Sequence, residues 1–94
     1  MKNYYYYYKM NKNVLTPGKR LISALEENGF REISRGDLAN AEMIRYYTNE
    51  NLGNQIRINY RIRTIAFIKS NGTVIKEVKS ILSRDIVKFN KESV

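Results

Sequence analysis

The sequence predicts an α+β fold: an N-terminal helix packed on a four-stranded, mainly antiparallel β-meander, followed by a short C-terminal helix or strand. Three observations carry this. Residues 16–29 place helix start and stop signals around an apolar stripe. Residues 55–69 alternate apolar and polar side chains with a period of two. Asn71-Gly72 lies between two apolar runs, as a tight hairpin turn does. Strands joined in succession by turns pair as a meander, and the helix must cover the apolar face of the sheet. With 94 residues the chain supports one domain. It divides by composition into a low-complexity tyrosine-rich arm (1–15), a single α+β domain (16–90) and a tail (91–94).

The helix is expected to start at Thr16 as N-cap with Pro17 at its first position, where a missing N–H costs nothing. Leu21, Ile22 and Leu25 form its stripe. Asn28-Gly29 stops it, with Gly29 left-handed and Phe30 folding back toward Leu25. Glu26 and Glu27 stand at the C-terminal end, where the helix dipole disfavours them. Phe30–Ser34 and Glu42–Thr48 read as short strands, with Arg35-Gly36-Asp37 as a turn between them and Asn49–Asn54 as a loop after them.

From Gln55 the pattern is clear. Ile56, Ile58, Tyr60 and Ile62 fall on one face, and Arg57, Asn59, Arg61 and Arg63 on the other. The phase changes after Arg63, since Ile65 and Phe67 are the next apolar residues, and a bulge or bend near Arg63-Thr64 repairs it. Straight and extended, residues 55–69 would span ~50 Å, too long for one flat strand in a domain this small. A type I′ turn at Asn71-Gly72 then opposes Phe67 to Lys76, Ile65 to Val78 and Lys69 to Val74, gathering Ile65, Phe67, Val74 and Val78 on the core face. Ser83 is a candidate cap for a last short helix, with Asp85 in its first turn and Ile86 and Phe89 inward.

Lys and Arg number 17 against 9 Asp and Glu, a formal charge of +8, so the domain is attracted to polyanions. The chain has no cysteine and no histidine. Disulfides, thiol nucleophiles and thiolate metal sites are excluded, and the commonest general base is missing. The carboxylates show no metal or glycosidase spacing, so no cofactor and no metal is expected. No apolar run approaches the ~20 residues of a membrane span, and we expect a cytoplasmic protein with no membrane partner.

Arg57, Arg61 and Arg63, with Asn59 among them, are the candidate binding row. Alternate side chains of a strand repeat every ~6.6 Å, close to the spacing of successive phosphates, and a guanidinium binds phosphate in two places. Arg45 and Tyr47 join them as candidates, with Tyr46, Tyr47 and Tyr60 offering rings for stacking. The run Tyr4–Tyr8, with Lys2, Lys9 and Lys12, could assist as a stacking arm.

The stretch LISALEENGF (Leu21 to Phe30) with REISRG after it resembles the opening of HicA-like toxins, small RNA-directed domains with a double-stranded-RNA-binding-like fold. That family's histidine is replaced here by Asp37 after Gly36, so its catalysis does not carry over. YRIRTIAFIKSNGTVIKEVKSILSRDIV (Tyr60 to Val87) resembles the C-terminal strands of RelE/ParE-like toxins, some of which cleave RNA without histidine. The long helical hairpin of those toxins is missing from the first half.

The function expected from these readings is a small basic nucleic-acid-binding domain, not an enzyme, that holds the phosphate backbone of RNA or DNA or joins a nucleoprotein complex. The alternative is a small phage or mobile-element inhibitor or adaptor, anti-CRISPR-like, acting by protein contact, with a homodimer through a sheet edge as one form. A toxin-like ribonuclease using Arg61, Arg63, Arg84 and Tyr60 ranks third.

Overall fold

A computed structural model describes residues 14–33 and 43–94. Its elements run β1 (Val14–Leu15), α1 (Lys19–Glu27), β2 (Phe30–Ile33), β3 (Ile44–Asn49), β4 (Gln55–Asn59), β5 (Thr64–Ile68), β6 (Val74–Val78), β7 (Ile81–Leu82) and α2 (Ser83–Glu92). Strands β2 to β6 form a five-stranded sheet in sequence order, antiparallel throughout, and β1 pairs with β7 as a separate two-stranded ribbon. The fold is α+β as expected, with one strand more in the meander. The Arg-Gly-Asp turn lies outside the described residues, as does most of the tyrosine-rich arm.

The extra strand comes from the segment read as one long bent strand. Residues 60–63 are a four-residue turn, and Asn59 pairs with Thr64 across its base. The phase change at Arg63-Thr64 is thus a full reversal of the chain. Asn59 makes this turn, its Oδ1 accepting from the N–H groups of Arg61 (3.0 Å) and Ile62 (3.3 Å). Such short side-chain to backbone bonds are how Asn initiates turns. Ile62, expected inside, is 55% exposed at the turn.

The helices cover one face of the sheet. Leu21, Ala24 and Leu25 of α1 and Ile86 and Phe89 of α2 join Phe30, Tyr47, Ile56, Ile58, Ile65, Phe67 and Ile81 in one core. Phe67 and Phe89 meet edge to face at 4.9 Å, the arrangement the ring quadrupole favours. Helix α1 begins two residues later than expected, with Gly18 as N-cap, because Thr16 follows directly on β1 and Pro17-Gly18 is needed to turn the chain. Its end is as expected: Gly29 takes φ +90°, its N–H donates to the Glu26 carbonyl, and Phe30 is buried. A Cβ on Gly29 would also stand 3.3 Å from Asn49 Nδ2.

At the β5–β6 hairpin the Gly72 N–H donates to the Lys69 carbonyl, the Lys69 N–H to the Thr73 carbonyl, and Gly72 alone has positive φ. This is a type I turn closed by a left-handed glycine, with a one-residue shift in place of the type I′ turn. Phe67 still opposes Lys76 and Ile65 opposes Val78, but Ile68 rather than Lys69 opposes Val74. The shift explains why Val74, assigned to the core, is 46% exposed.

The C-terminal element is a helix. Leu82, rather than the expected Ser83, is its N-cap, and the Asp85 carboxylate in the first turn accepts the Leu82 N–H at 2.8 Å. The end of α2 is tied into the fold. Asn90 Nδ2 donates to the Asn28 carbonyl (3.0 Å), Asn49 Nδ2 donates to the same carbonyl (3.2 Å), and Asn54 Nδ2 donates to Ser93 Oγ (2.8 Å). These amides tie the C-terminal ends of both helices to the β3–β4 turn.

Candidate nucleic-acid interface

The sequence-derived row of cations does not exist as a row. Arg57 stands on β4, on the sheet face away from the helices, opposite Tyr46 and Ala66. Its Nη2 donates to Glu77 Oε2 at 3.3 Å, and Thr64 Oγ1 donates to the same oxygen at 2.7 Å. The hydroxyl of Thr64, then Arg57, hold the Glu77 carboxyl below the usual carboxylate range. Arg57 is neutralised by an acid from two strands away, which linear sequence does not reveal. Asn59 is spent on the turn. Arg45, opposite Ile58, lies on the helix-covered face, where its Nη1 donates to Glu32 at 2.7 Å. Tyr47 is 4% exposed, so its ring cannot stack on a base; burial, with Glu32 nearby, pushes its phenol up to about 12. Of the six candidates, only Arg61 and Arg63 are brought together as open cations, and they sit on the β4–β5 turn rather than on a strand.

That turn belongs to an end of the molecule where other cations converge. The β1–β7 ribbon pairs Val14 with Leu82 and Leu15 with Ile81. Because α1 and α2 each follow directly on one of these strands, both helix N-termini start beside the ribbon. Their C-terminal ends meet at the Asn28–Asn90 contact, so the two helices run the same way. Strand β6 ends at Val78, which pairs with Ile65 two residues beyond Arg63. The β4–β5 turn, Lys79, the start of α2 with Arg84 and the start of α1 with Lys19 and Arg20 therefore share one pole. Lys19, Arg61, Arg63, Lys79 and Arg84 are all exposed. Ion pairs among the described residues are Arg31–Glu50, Arg45–Glu32 and Arg57–Glu77, and none engages those five. Among the described residues the acids toward the pole are occupied, Asp85 by the Leu82 amide, Glu32 by Arg45, and Glu77 by Thr64 and Arg57. Glu26, Glu27, Glu50 and Glu92 lie toward the other end.

Helix α1 shows the polarity most plainly. Lys19 and Arg20 open it with no acid in the first turn, and Glu26 and Glu27 close it with no base in the last. This inverts the arrangement a helix dipole favours, at a cost of about 0.3–1 kcal/mol for each misplaced charge. In return, side-chain charge and the partial positive charge of the α1 N-terminus add at one place, while that of α2 is met by Asp85.

Lys19 and Lys79 escaped the sequence reading. The inverted charge of α1 was a usable signal for Lys19; Lys79 required the topology. Among the described residues no group of three or more Asp or Glu side chains could hold a metal ion, and no helix is long and apolar enough to cross a membrane. An open depression of about 310 Å³, lined by Lys69, Ser70, Ile75, Phe89, Glu92 and Ser93, lies at the end away from the basic pole. Comparison of the chain with protein-family models, with curated proteins and with solved structures finds no match.

Proposed function

We propose that this domain binds nucleic acid, RNA or DNA, by its phosphate backbone, and that the binding surface is the basic pole rather than the face of the sheet. The observation that carries this is the convergence of Lys19, Arg61, Arg63, Lys79 and Arg84, exposed and in no ion pair among the described residues, at the end where both helices begin. Guanidinium groups bind phosphate oxygens bidentately, and helix N-termini favour anions. Fixed positive charges release condensed counterions from a polyanion, so affinity falls with salt in proportion to the phosphates neutralised. The chemistry is binding: among the described residues the carboxylates toward the pole are committed to Arg45, to Arg57 and Thr64, and to the α2 N-terminus, and Tyr60 has a phenol raised by burial, unsuited to giving up its proton.

Fluorescence anisotropy with labelled oligonucleotides across a salt series tests the reading. Arg61→Ala with Arg63→Ala lowers affinity and makes the salt slope shallower by about 1.4–1.8 for two phosphate contacts. Lys69→Ala with Lys91→Ala, at the other end, leaves both unchanged. Equal behaviour of the two variants overturns the assignment.

A second reading, contact with a protein partner, is favoured by β6. This edge strand leaves Val74 and Ile75 46% and 41% exposed. Its irregular register and Lys76 guard the edge against indiscriminate pairing. Purification that returns one stoichiometric protein partner, insensitive to nuclease and lost with Ile75→Asp, would favour it over the first.

A further inference from the structure

We infer that the basic pole takes its nucleic acid as a single strand and contacts base faces as well as phosphates, through a small apolar shelf made by Ile62 and Met43 beside Tyr60. This rests on the phosphate-binding reading above and adds the form of nucleic acid to it. Ile62 stands 55% exposed between Arg61 and Arg63, and Met43, at the start of β3, is 39% exposed. The two lie on adjoining segments, because the Tyr60 N–H donates to the Met43 carbonyl at 2.6 Å. The shelf is preformed: Asn59 holds the amides of Arg61 and Ile62, so little chain entropy is lost when a ligand seats on it. Tyr60 is half-buried against the core, and burial raises its phenol pKa.

The composition of the turn decides the ligand. Cations alone suffice for a phosphate backbone, and an exposed isoleucine or methionine contributes nothing to a phosphate. Apolar side chains set among cations gain only where the ligand shows apolar surface beside its charges. In a duplex the base faces are stacked out of reach and only their edges are open; in a single strand the faces are presented with the phosphates. A lipid surface also combines charge and apolar matter, but interfacial binding draws on a broad apolar face inserted ~5–10 Å deep, and among the described residues the apolar face of the turn is Ile62 with Met43.

The test compares an oligothymidylate of about twelve nucleotides, within the usual span of such sites, with a strand of equal length and charge made of abasic residues. A matched duplex and phosphatidylglycerol vesicles complete the set. All are measured at one salt concentration against the full chain. The oligothymidylate binds about tenfold tighter than the abasic strand, and Ile62→Ser with Met43→Ser removes that difference while leaving abasic affinity and the salt slope unchanged. Both substitutions are at exposed positions, and thermal unfolding confirms that the variant is folded. Equal wild-type affinity for thymidylate and abasic strands overturns the shelf and leaves the phosphate reading intact. A preference that survives in the variant, or a duplex bound more tightly than the single strand, overturns it as well. So does vesicle binding that is lost in the variant while binding to all oligonucleotides is unaffected. Failure to bind either strand removes both readings.

Discussion

Arg57 on β4 and Glu77 on β6 are joined by an ion pair of 3.3 Å although a whole strand separates them. Both residues face Ala66 of β5 in register, Arg57 from one side and Glu77 from the other. Ala66 is fully buried on the sheet face opposite the two described helices, and the pair closes across its small side chain. Ala66→Leu should therefore separate the two charges and cost about 1–3 kcal/mol, the range of overpacked sites. Urea unfolding measures it, and the cost should shrink when Arg57 and Glu77 are already alanine. An equal cost in both backgrounds would show that the pair does not close over Ala66.

The same carboxylate sets an acid sensitivity. Glu77 has a folded pKa below its unfolded value, chiefly through Thr64 and then Arg57. Its contribution is fully present above the unfolded value of about 4.3 and is lost as pH falls through the lower folded value. The stability advantage of the wild type over Glu77→Gln should be constant from neutral pH down to about 4.5 and then decline. Chemical denaturation across that interval checks it. An advantage independent of pH would remove Glu77's charge from the account.

Helix α1 should exchange stability for binding. Lys19→Glu puts an acid in a first turn that has none, and the dipole should return about 0.3–1 kcal/mol of stability. The same change reverses a charge at the pole and should weaken oligonucleotide binding. Thermal unfolding and anisotropy read the two effects. A variant more stable and equally tight would separate Lys19 from the site.

Arg63 repeats the trade-off in the backbone. It has φ +57°, the left-handed region, and is the one described non-glycine residue there. A side chain costs roughly 1–2 kcal/mol in that region, and glycine or asparagine is the usual occupant. Arg63→Gly should stabilise the domain by about 0.5–1 kcal/mol once glycine's greater unfolded entropy is subtracted, while weakening nucleic-acid binding. Destabilisation would mean that the arginine is held there by contacts within the fold.

The elements with local signals were legible in the sequence. Asn28-Gly29 ended α1, Ile56 and Ile58 marked the inward face of β4, and Ile86 and Phe89 marked the inward face of α2, because each rests on neighbours a few residues away. The β4–β5 turn was misread because Tyr60-Arg61-Ile62-Arg63 continues the alternation of a strand without glycine or proline; the turn is imposed by Asn59, a residue the pattern assigns to the strand. The row of cations was misplaced for a related reason. The spacing of Arg57, Arg61 and Arg63 says nothing of Glu77, which arrives from β6, or of Lys19, Lys79 and Arg84, which the β1–β7 ribbon carries to the pole. Charge pairing and convergence are properties of topology, and local periodicity does not contain them.

The position of the nucleic acid on the domain is read most directly by two-dimensional ¹H–¹⁵N NMR of the full chain during titration with a short unlabelled oligonucleotide. The account predicts that amide shifts concentrate at Lys19–Leu21, Tyr60–Thr64 and Lys79–Asp85, with Arg31, Thr48, Gln55 and Ile68 little changed. Shifts centred on those last four residues, with the β4–β5 turn silent, would contradict it.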